Sequence, residues 1–502
     1  MGSILFRDLA FRGVFTLRIS QRSTHGDNAT GGPPGAVAAY LTGPLLVALI
    51  ALSVLATPRH CRAEGQTPYR FVLGNGLTVI GCETPSSPTV AINAFLRLSV
   101  LNERADTVGI RQLTQLWLPD RPQTNGLPSL ADQLDDIGAR FDTSTEADFV
   151  KVTLLASDND FRRALQILER ALYSDDFDLK AFEAHRMVAL RLVAARLELP
   201  LPAIDDALVA ALYPGSAQSR SPLGEARVLS RLTPAQVITF HRTHYLPGVT
   251  VLSVAGGVSQ EQVRTQINQT FAPVLPGPAP VAETAAASQP KSGAVRVKVD
   301  TDSAAVAIGG RAPALADPDY PAAALAVSML GSGLDSILYH ALREKQTLVY
   351  SVDAELTPST VAGKAVAYAL CDPQAVGKVT DIMLSEIRKL ADTPPEAAQL
   401  ERRKAYLAGT YLMGRQRNSD VAHYLGLMEA LAPGEGATLD ATLISKIRAV
   451  SAADVSRAVK QLFGSPVVVT VGADESPGRR PEGGSAQLPA IGRPSVLFGL
   501  YR

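Results

Sequence analysis

The sequence predicts an α+β protein of two or more domains, and three observations lead there. Asn75-Gly76-Leu77 stands between two apolar runs, Tyr69 to Leu73 and Thr78 to Ile80, which is a strong β-hairpin signal. Thr233-Pro234 pairs a good helix N-cap with a residue suited to the first helical position, so helices accompany the strands. Residues 274–293 are rich in Pro, Ala and Ser, hold few large apolar residues, and read as a linker between two long segments. At 502 residues and 46% hydrophobic content the chain can bury a large core.

Each part can be justified in chain order. Residues 1–34 form a basic leader with Arg7, Arg12, Arg18 and Arg22 against Asp8 and Asp27. Residues 35–58 are uncharged and include the apolar stretch Leu45 to Ala56, with small-residue exits at Val54-Leu55-Ala56 and Ala63. This order describes a signal sequence or a membrane anchor. A mitochondrial presequence fits the Arg- and Ser-containing start but not the apolar run. The folded part is therefore expected to be exported, in a bacterial periplasm or anchored to the inner membrane facing it. The membrane is expected to be met only through this N-terminal segment.

The first folded segment is taken as 67–273. After the hairpin, Val90, Ile92, Ala94, Leu96 and Leu98 alternate with other residues and predict a strand over Thr89 to Leu98. Glu103 lies in the next loop and Gly109 opens a helix. Later come the Thr233-Pro234 helix, Tyr245-Leu246-Pro247, a strand from Val249 to Val254, and Gly256-Gly257-Val258. The second segment is 294–473, and 474–502 is a Gly/Pro-rich tail that turns apolar from Ser495.

Composition removes some function classes. Net charge is zero, so nucleic acid is not an expected partner. Cys61, Cys82 and Cys371 have no metal-ligand spacing and cannot all pair, which excludes a disulfide framework.

The stretch Gly109-Ile110-Arg111-Gln112-Leu113-Thr114-Gln115-Leu116 decides the functional expectation. The order of turn, strand, acidic loop and helix around it resembles the pitrilysin/insulinase family of metallopeptidases. So do Leu212-Tyr213-Pro214-Gly215 and Ser221-Pro222-Leu223-Gly224. So, most specifically, does Met329-Leu330-Gly331-Ser332-Gly333-Leu334-Asp335-Ser336-Ile337-Leu338-Tyr339 followed by Leu342-Arg343-Glu344-Lys345-Gln346-Thr347-Leu348-Val349-Tyr350-Ser351-Val352. The resemblance implies two homologous halves, each an antiparallel sheet packed with helices, arranged as a clamshell. One departure is Thr347, where the family has glycine, since a β-branched residue disfavours positive φ.

In that family the helix carries H-x-x-E-H. Two imidazoles at i and i+4 bind zinc, and the glutamate takes a proton from the metal-bound water. In register, those positions here are Gln112, Gln115 and Leu116, and the third ligand falls on Arg191 or Leu192. An amide cannot accept that proton and leucine has no lone pair to offer. The resemblance thus implies a pseudo-peptidase with no catalytic residue, no metal and no cofactor of its own.

The same resemblance implies that Arg343 and Tyr350 reach across to substrate, an arginine binding a carboxylate or carbonyl and a phenol stabilising an oxyanion. Their bland reading is a helix cap and the start of a core strand. Phe141-Asp142-Thr143-Ser144-Thr145 resembles the edge strand on which relatives lay an extended peptide, a pairing that needs no particular side chain. His241 and His244 at i, i+3, and His185, read as structural. Glu396 to Arg403 reads as a solvated face with i,i+4 charge pairs. The expected partner is an active zinc-bearing family member in a heterodimer, or a second copy by self-association, with peptide as the shared substrate. The alternative is a stand-alone scaffold, like the core subunits of the respiratory ubiquinol–cytochrome c reductase.

Overall fold

A computed structural model describes residues 67–472 apart from Asn125, 286–288, Ser292 and Asp300. The leader, the signal or anchor segment and the tail from 474 lie outside the described residues. Among the described residues no helix is long and apolar enough to cross a membrane.

Two sheets organise the chain. The first contains β1 (Tyr69–Val72), β2 (Thr78–Glu83), β3 (Thr89–Leu96), β4 (Arg140–Thr145), β5 (Val150–Ser157) and β6 (Thr250–Gly256), in the order β1-β2-β6-β3-β5-β4. The second contains β7 (Gly293–Lys298), β8 (Ala304–Arg311), β9 (Val349–Thr357), β10 (Lys364–Cys371) and β11 (Val467–Gly472), in the order β7-β11-β8-β10-β9. Dropping β1, the two orders correspond strand for strand, as expected of two homologous halves.

Each sheet is antiparallel except for one parallel pair, β2 with β6 and β7 with β11. The cause is the last strand of each half. It returns from a helical excursion and inserts between two strands that precede it in sequence. In the first sheet the β2–β3 loop must then pass over the end of β6, and Gly256-Gly257 make room. A Cβ on Gly256 would meet the Thr89 carbonyl at 2.4 Å, and one on Gly257 the Ser87 carbonyl at 2.0 Å.

The hairpin forms as read. Leu73 N–H donates to Leu77 O at 2.9 Å, and Asn75 Nδ2 reaches Phe271 O at 2.8 Å, fastening the turn to a helix end. The Pro234–His244 helix starts with a capping box, Thr233 accepting from Gln236 N–H while the Gln236 side chain accepts from Thr233 N–H.

The alternation in β3 sorts its side chains onto two buried faces. Val90, Ile92, Ala94 and Leu96 join the first half's own core, whereas Ala91 and Phe95 meet residues of the second half. The element covering that second face is the Asn418–Leu431 helix. Its Gly426 lies so close that a Cβ would come 2.4 Å from the Phe95 ring. In return the Pro200–Leu212 helix of the first half covers the second sheet. Ile204, Leu208 and Leu212 pack with Ala305, Ala307, Val467 and Val469. Gly309 of β8 leaves space for Leu208, 2.7 Å from where a Cβ would stand. Each half thus lends a helix to the other. Polar contacts reinforce the exchange: Arg70 with Glu429 at 2.9 Å, Asn418 with Ser87 at 2.8 Å, and Tyr213 OH with Gly363 O at 2.7 Å. The described residues, 67–472, fall in one compact unit.

Thr347 adopts φ 53° between the Tyr339–Glu344 turn and β9, the single described non-glycine residue with positive φ. Its N–H donates to Arg343 O at 3.1 Å, a left-handed helix ending that glycine makes without a Cβ clash. Thr347→Gly is therefore expected to raise stability by about 0.5–1 kcal/mol, relief of strain exceeding the added freedom of the unfolded chain. Urea denaturation midpoints of the two proteins check this; a lower midpoint for the variant would contradict it.

Candidate functional site

The Ile110–Trp117 helix begins at Gly109, whose φ of 97° is left-handed. Gly224, φ 89°, stands back to back with it, and a Cβ on Gly109 would lie 2.8 Å from Gly224 Cα. This contact brings the 221–224 loop onto the helix start. Behind it lies an ion pair fully excluded from solvent, Arg111 Nε to Glu103 Oε1 at 3.2 Å. Glu103 also accepts the Arg111 N–H at 3.1 Å, and Arg111 Nη1 donates to Leu98 O at 2.8 Å and Glu146 O at 2.7 Å. One guanidinium thus joins the end of β3, the β4–β5 turn and the helix. Burial pushes the Glu103 carboxyl above its ordinary range, and the Arg111 charge pulls it back.

The three motif positions part company. Gln112 is buried and lines a cavity. Gln115 is directed inward, its Nε2 donating to Tyr245 OH at 2.9 Å. Leu116 packs against the first half's core. On the Phe182–Glu198 helix, Arg191 and Leu192 are exposed and do not line the cavity, whereas Val193, Arg196 and Leu197 do. This donor set does not fit zinc: it offers no imidazole, thiolate or carboxylate, and the Gln115 amide nitrogen is already engaged. Among the described residues no group of three or more His, Cys, Asp or Glu could hold a metal ion.

The cavity measures about 960 Å³ and lies between the halves. Its first-half walls are Gln112, the end of β4 from Thr143 to Thr145, the turn after it, and the 218–227 loop. The second half contributes Glu355 and Thr357 of β9, Lys364 of β10, and Leu427 and Leu431. Arg196 holds Asp206 at 2.8 Å and Asp205 at 3.1 Å, and Lys364 bonds Asp205 from the opposite half. Thr360 N–H donates to Asp148 at 2.6 Å, tying the strand ends together. β4 stands at the end of the strand order with its far edge beside this space.

Residues 231–407 match the family described as Peptidase M16 inactive domain. An uncharacterized zinc protease of Mycobacterium tuberculosis is 24% identical over 405 residues, covering 80% of this chain and 92% of its own. The probable mitochondrial-processing peptidase subunit beta of Arabidopsis thaliana is 22% identical over 432 residues, covering 83% and 80%. A crystal structure titled peptidase M16 inactive domain from Pseudomonas fluorescens superposes with a TM-score of 0.74 at 18% identity, covering 82% of this chain and 99% of that one. The chain is an M16 peptidase homologue. It is one in which the zinc-motif positions hold Gln112, Gln115 and Leu116.

In this M16 homologue Arg343 and Tyr350 stand apart from the cavity. The Arg343 guanidinium bonds the Val349 carbonyl, and Tyr350 is 53% exposed at the start of β9, beside the bulge between Leu370 and Cys371. Neither lines the cavity. The histidines serve packing. His241 is buried against Phe177 and Tyr245, and burial pushes its imidazole down to about 4, so it is neutral at pH 7. His244 stacks on Phe240 at 4.0 Å, and His185 bonds Asp120.

Sequence reasoning missed two features. One is Arg121, fully buried with its guanidinium 3.6 Å from the Phe177 ring centroid and Nη2 bonded to Ala171 O at 2.7 Å. The other is the Arg196, Asp205, Asp206 and Lys364 cluster, whose members come from three elements in two halves.

Glu103→Ala strands the Arg111 charge in the interior and is expected to cost about 3–5 kcal/mol. Replacing the pair together, Glu103→Leu with Arg111→Met, is expected to cost less than the single change. Urea unfolding of the three proteins decides it: a double variant less stable than Glu103→Ala would refute the buried-charge account.

Proposed function

We propose that this chain is a non-catalytic M16 subunit that holds extended peptides in the inter-half cavity and partners a zinc-bearing M16 chain in proteolysis. The observation that carries the reading is the juxtaposition of the free β4 edge with a helix whose zinc positions are Gln112, Gln115 and Leu116. Backbone pairing along Thr143 to Thr145 needs neither metal nor particular side chains, so peptide capture outlives the loss of catalysis.

Two further observations support partnership. The Arabidopsis relative is named as a subunit. On this chain, the Phe182–Glu198 helix and the residue after it leave Met187, Val188, Leu192, Leu197 and Leu199 exposed, an apolar surface of the kind used for association. In this reading Arg343 and Tyr350, open to solvent or outside the cavity, serve substrate in the assembled pair. The leader supports a site of action outside the cytoplasm.

The test is affinity purification of the tagged full chain from its own host. The expected companion is an M16 chain with an intact H-x-x-E-H motif, and the pair should hydrolyse unstructured peptides faster than that companion alone. A stable assembly lacking any such chain, or a pair no faster than the companion alone, would overturn the reading in favour of a scaffold.

A further inference from the structure

The Asn418–Leu431 helix meets the first sheet through small residues, Ala422 against Ala91 and Ala255, and Gly426 against Phe95 and Ser253. His423 stands between these contacts in sequence, its ring centroid 5.6 Å from that of Phe95. Lys151 of β5, paired across the sheet with Phe95, brings its Nζ to 3.4 Å from His423 Nδ1. An ammonium has donors only, so Nδ1 must accept, and the ring must be neutral with its proton on Nε2. That Nε2 is shut off from solvent and has no hydrogen-bond partner among the described residues. One polar contact across the halves therefore exists only while this histidine is uncharged.

No carboxylate among the described residues pairs with His423 to reward a proton. The elements packed on its helix are β2, β3, β6 and the Gly436–Ala449 helix. β3 and β6 carry no titratable side chain. On β2, Glu83 accepts from Gln260 N–H, and the Cys82 thiol is pushed up by burial. On the Gly436–Ala449 helix, Asp440 is held by Arg415 and Tyr411. Within its own helix, Asp420 pairs with Arg417, while Glu429 pairs with Arg70 and also faces Arg97. Glu146 and Asp142 act on Lys151, offsetting the burial that lowers its ammonium. Burial, then the Lys151 charge, pushes the His423 imidazole down to about 3.

We propose that His423 and Lys151 form an acid-sensitive latch between the halves. Protonation of His423 removes the acceptor, sets two cations against each other, and frees the Asn418–Leu431 helix from the first sheet. Leu427 and Leu431 of that helix wall the cavity, so release of the latch unmakes part of the wall. The sign follows from the lowered folded-state value. A histidine held neutral stabilises the closed seam fully above its ordinary pKa of about 6.5, and this stabilisation is lost as pH falls toward the folded value. The latch does not depend on what the cavity holds.

Hydrogen–deuterium exchange of the purified full chain tests it, read by mass spectrometry at about pH 7.5 and about pH 5 with exchange times scaled for the intrinsic rate. A helix of 14 residues is marginal in water on its own, so it exchanges once released. Its protection is expected to fall about thirtyfold at the lower pH, the factor by which a ring of ordinary pKa favours its protonated form there. β8 and β10, inside the second sheet, are expected to change far less. In His423→Gln, whose amide oxygen still accepts from Lys151 but takes up no proton, the fall is expected to shrink to that of β8 and β10. His423→Leu, also unable to titrate, serves if the glutamine variant lacks the parent circular dichroism spectrum. Equal protection of the helix at both pH values overturns the latch. So does a fall that persists in the variant, or one shared equally by β8 and β10, which is unfolding of the whole chain.

Discussion

The exchange of helices between the halves, Pro200–Leu212 onto the second sheet and Asn418–Leu431 onto the first, fixes where every other feature stands. Each sheet would otherwise show water an apolar face, Ala91 and Phe95 on one side and Ala305, Ala307, Val467 and Val469 on the other. Burying a leucine- or phenylalanine-sized side chain contributes about 1.5–3 kcal/mol, and Leu208, Phe95, Leu425 and Met428 are all almost wholly excluded from solvent. The halves are therefore welded through their cores, with Gly309 and Gly426 setting the approach. What remains between them is a space of defined walls rather than a cleft free to open without cost. Lys364 reaching Asp205 and Thr360 reaching Asp148 depend on that same placement.

Against this frame, the helix that carries zinc ligands in the family's motif is held by other means. Arg111 and Glu103 fasten it to β3 and to the β4–β5 turn, Gly109 meets Gly224, and Gln115 bonds Tyr245. None of these contacts involves a metal ligand. The scaffold can thus keep β4 and the cavity in place while positions 112, 115 and 116 carry amides and an aliphatic side chain. Fold and catalysis are separable here because different residues secure them. A binding function that uses a strand edge is compatible with that separation.

Local signals carried far in the sequence. The Asn75-Gly76 turn, the strand beginning at Thr89, and the Thr233 cap all form where local backbone preference put them, because each rests on neighbours in the chain. Thr347 was read as a departure that disfavours the turn of the Arg343 to Tyr350 block, yet the turn forms with Thr347 at φ 53°. The degenerate motif could be read position by position. What sequence could not give was the partner of each buried face. The residues between the alternating apolar positions of β3 carried no sign of what covers them, yet Ala91 and Phe95 lie under a helix more than three hundred positions later. The parallel strand in each sheet was hidden for the same reason, since insertion of β6 and β11 is a long-range event. Arg196, Asp205, Asp206 and Lys364 carry no pattern at all until the halves meet. Arg343 and Tyr350 show the converse: a specific motif located them, while the structure puts them beside β9's own backbone and surface rather than in the cavity.

The central claim is that the M16 zinc site has been replaced while the fold and its cavity persist. Elemental analysis of the purified chain after dialysis against metal-free buffer, with a peptidase assay on the same sample, tests it most directly. The account predicts zinc far below one ion per folded chain and no hydrolysis of unstructured peptides when zinc is restored. One tightly held zinc per chain, with hydrolysis that a chelator abolishes, would contradict it.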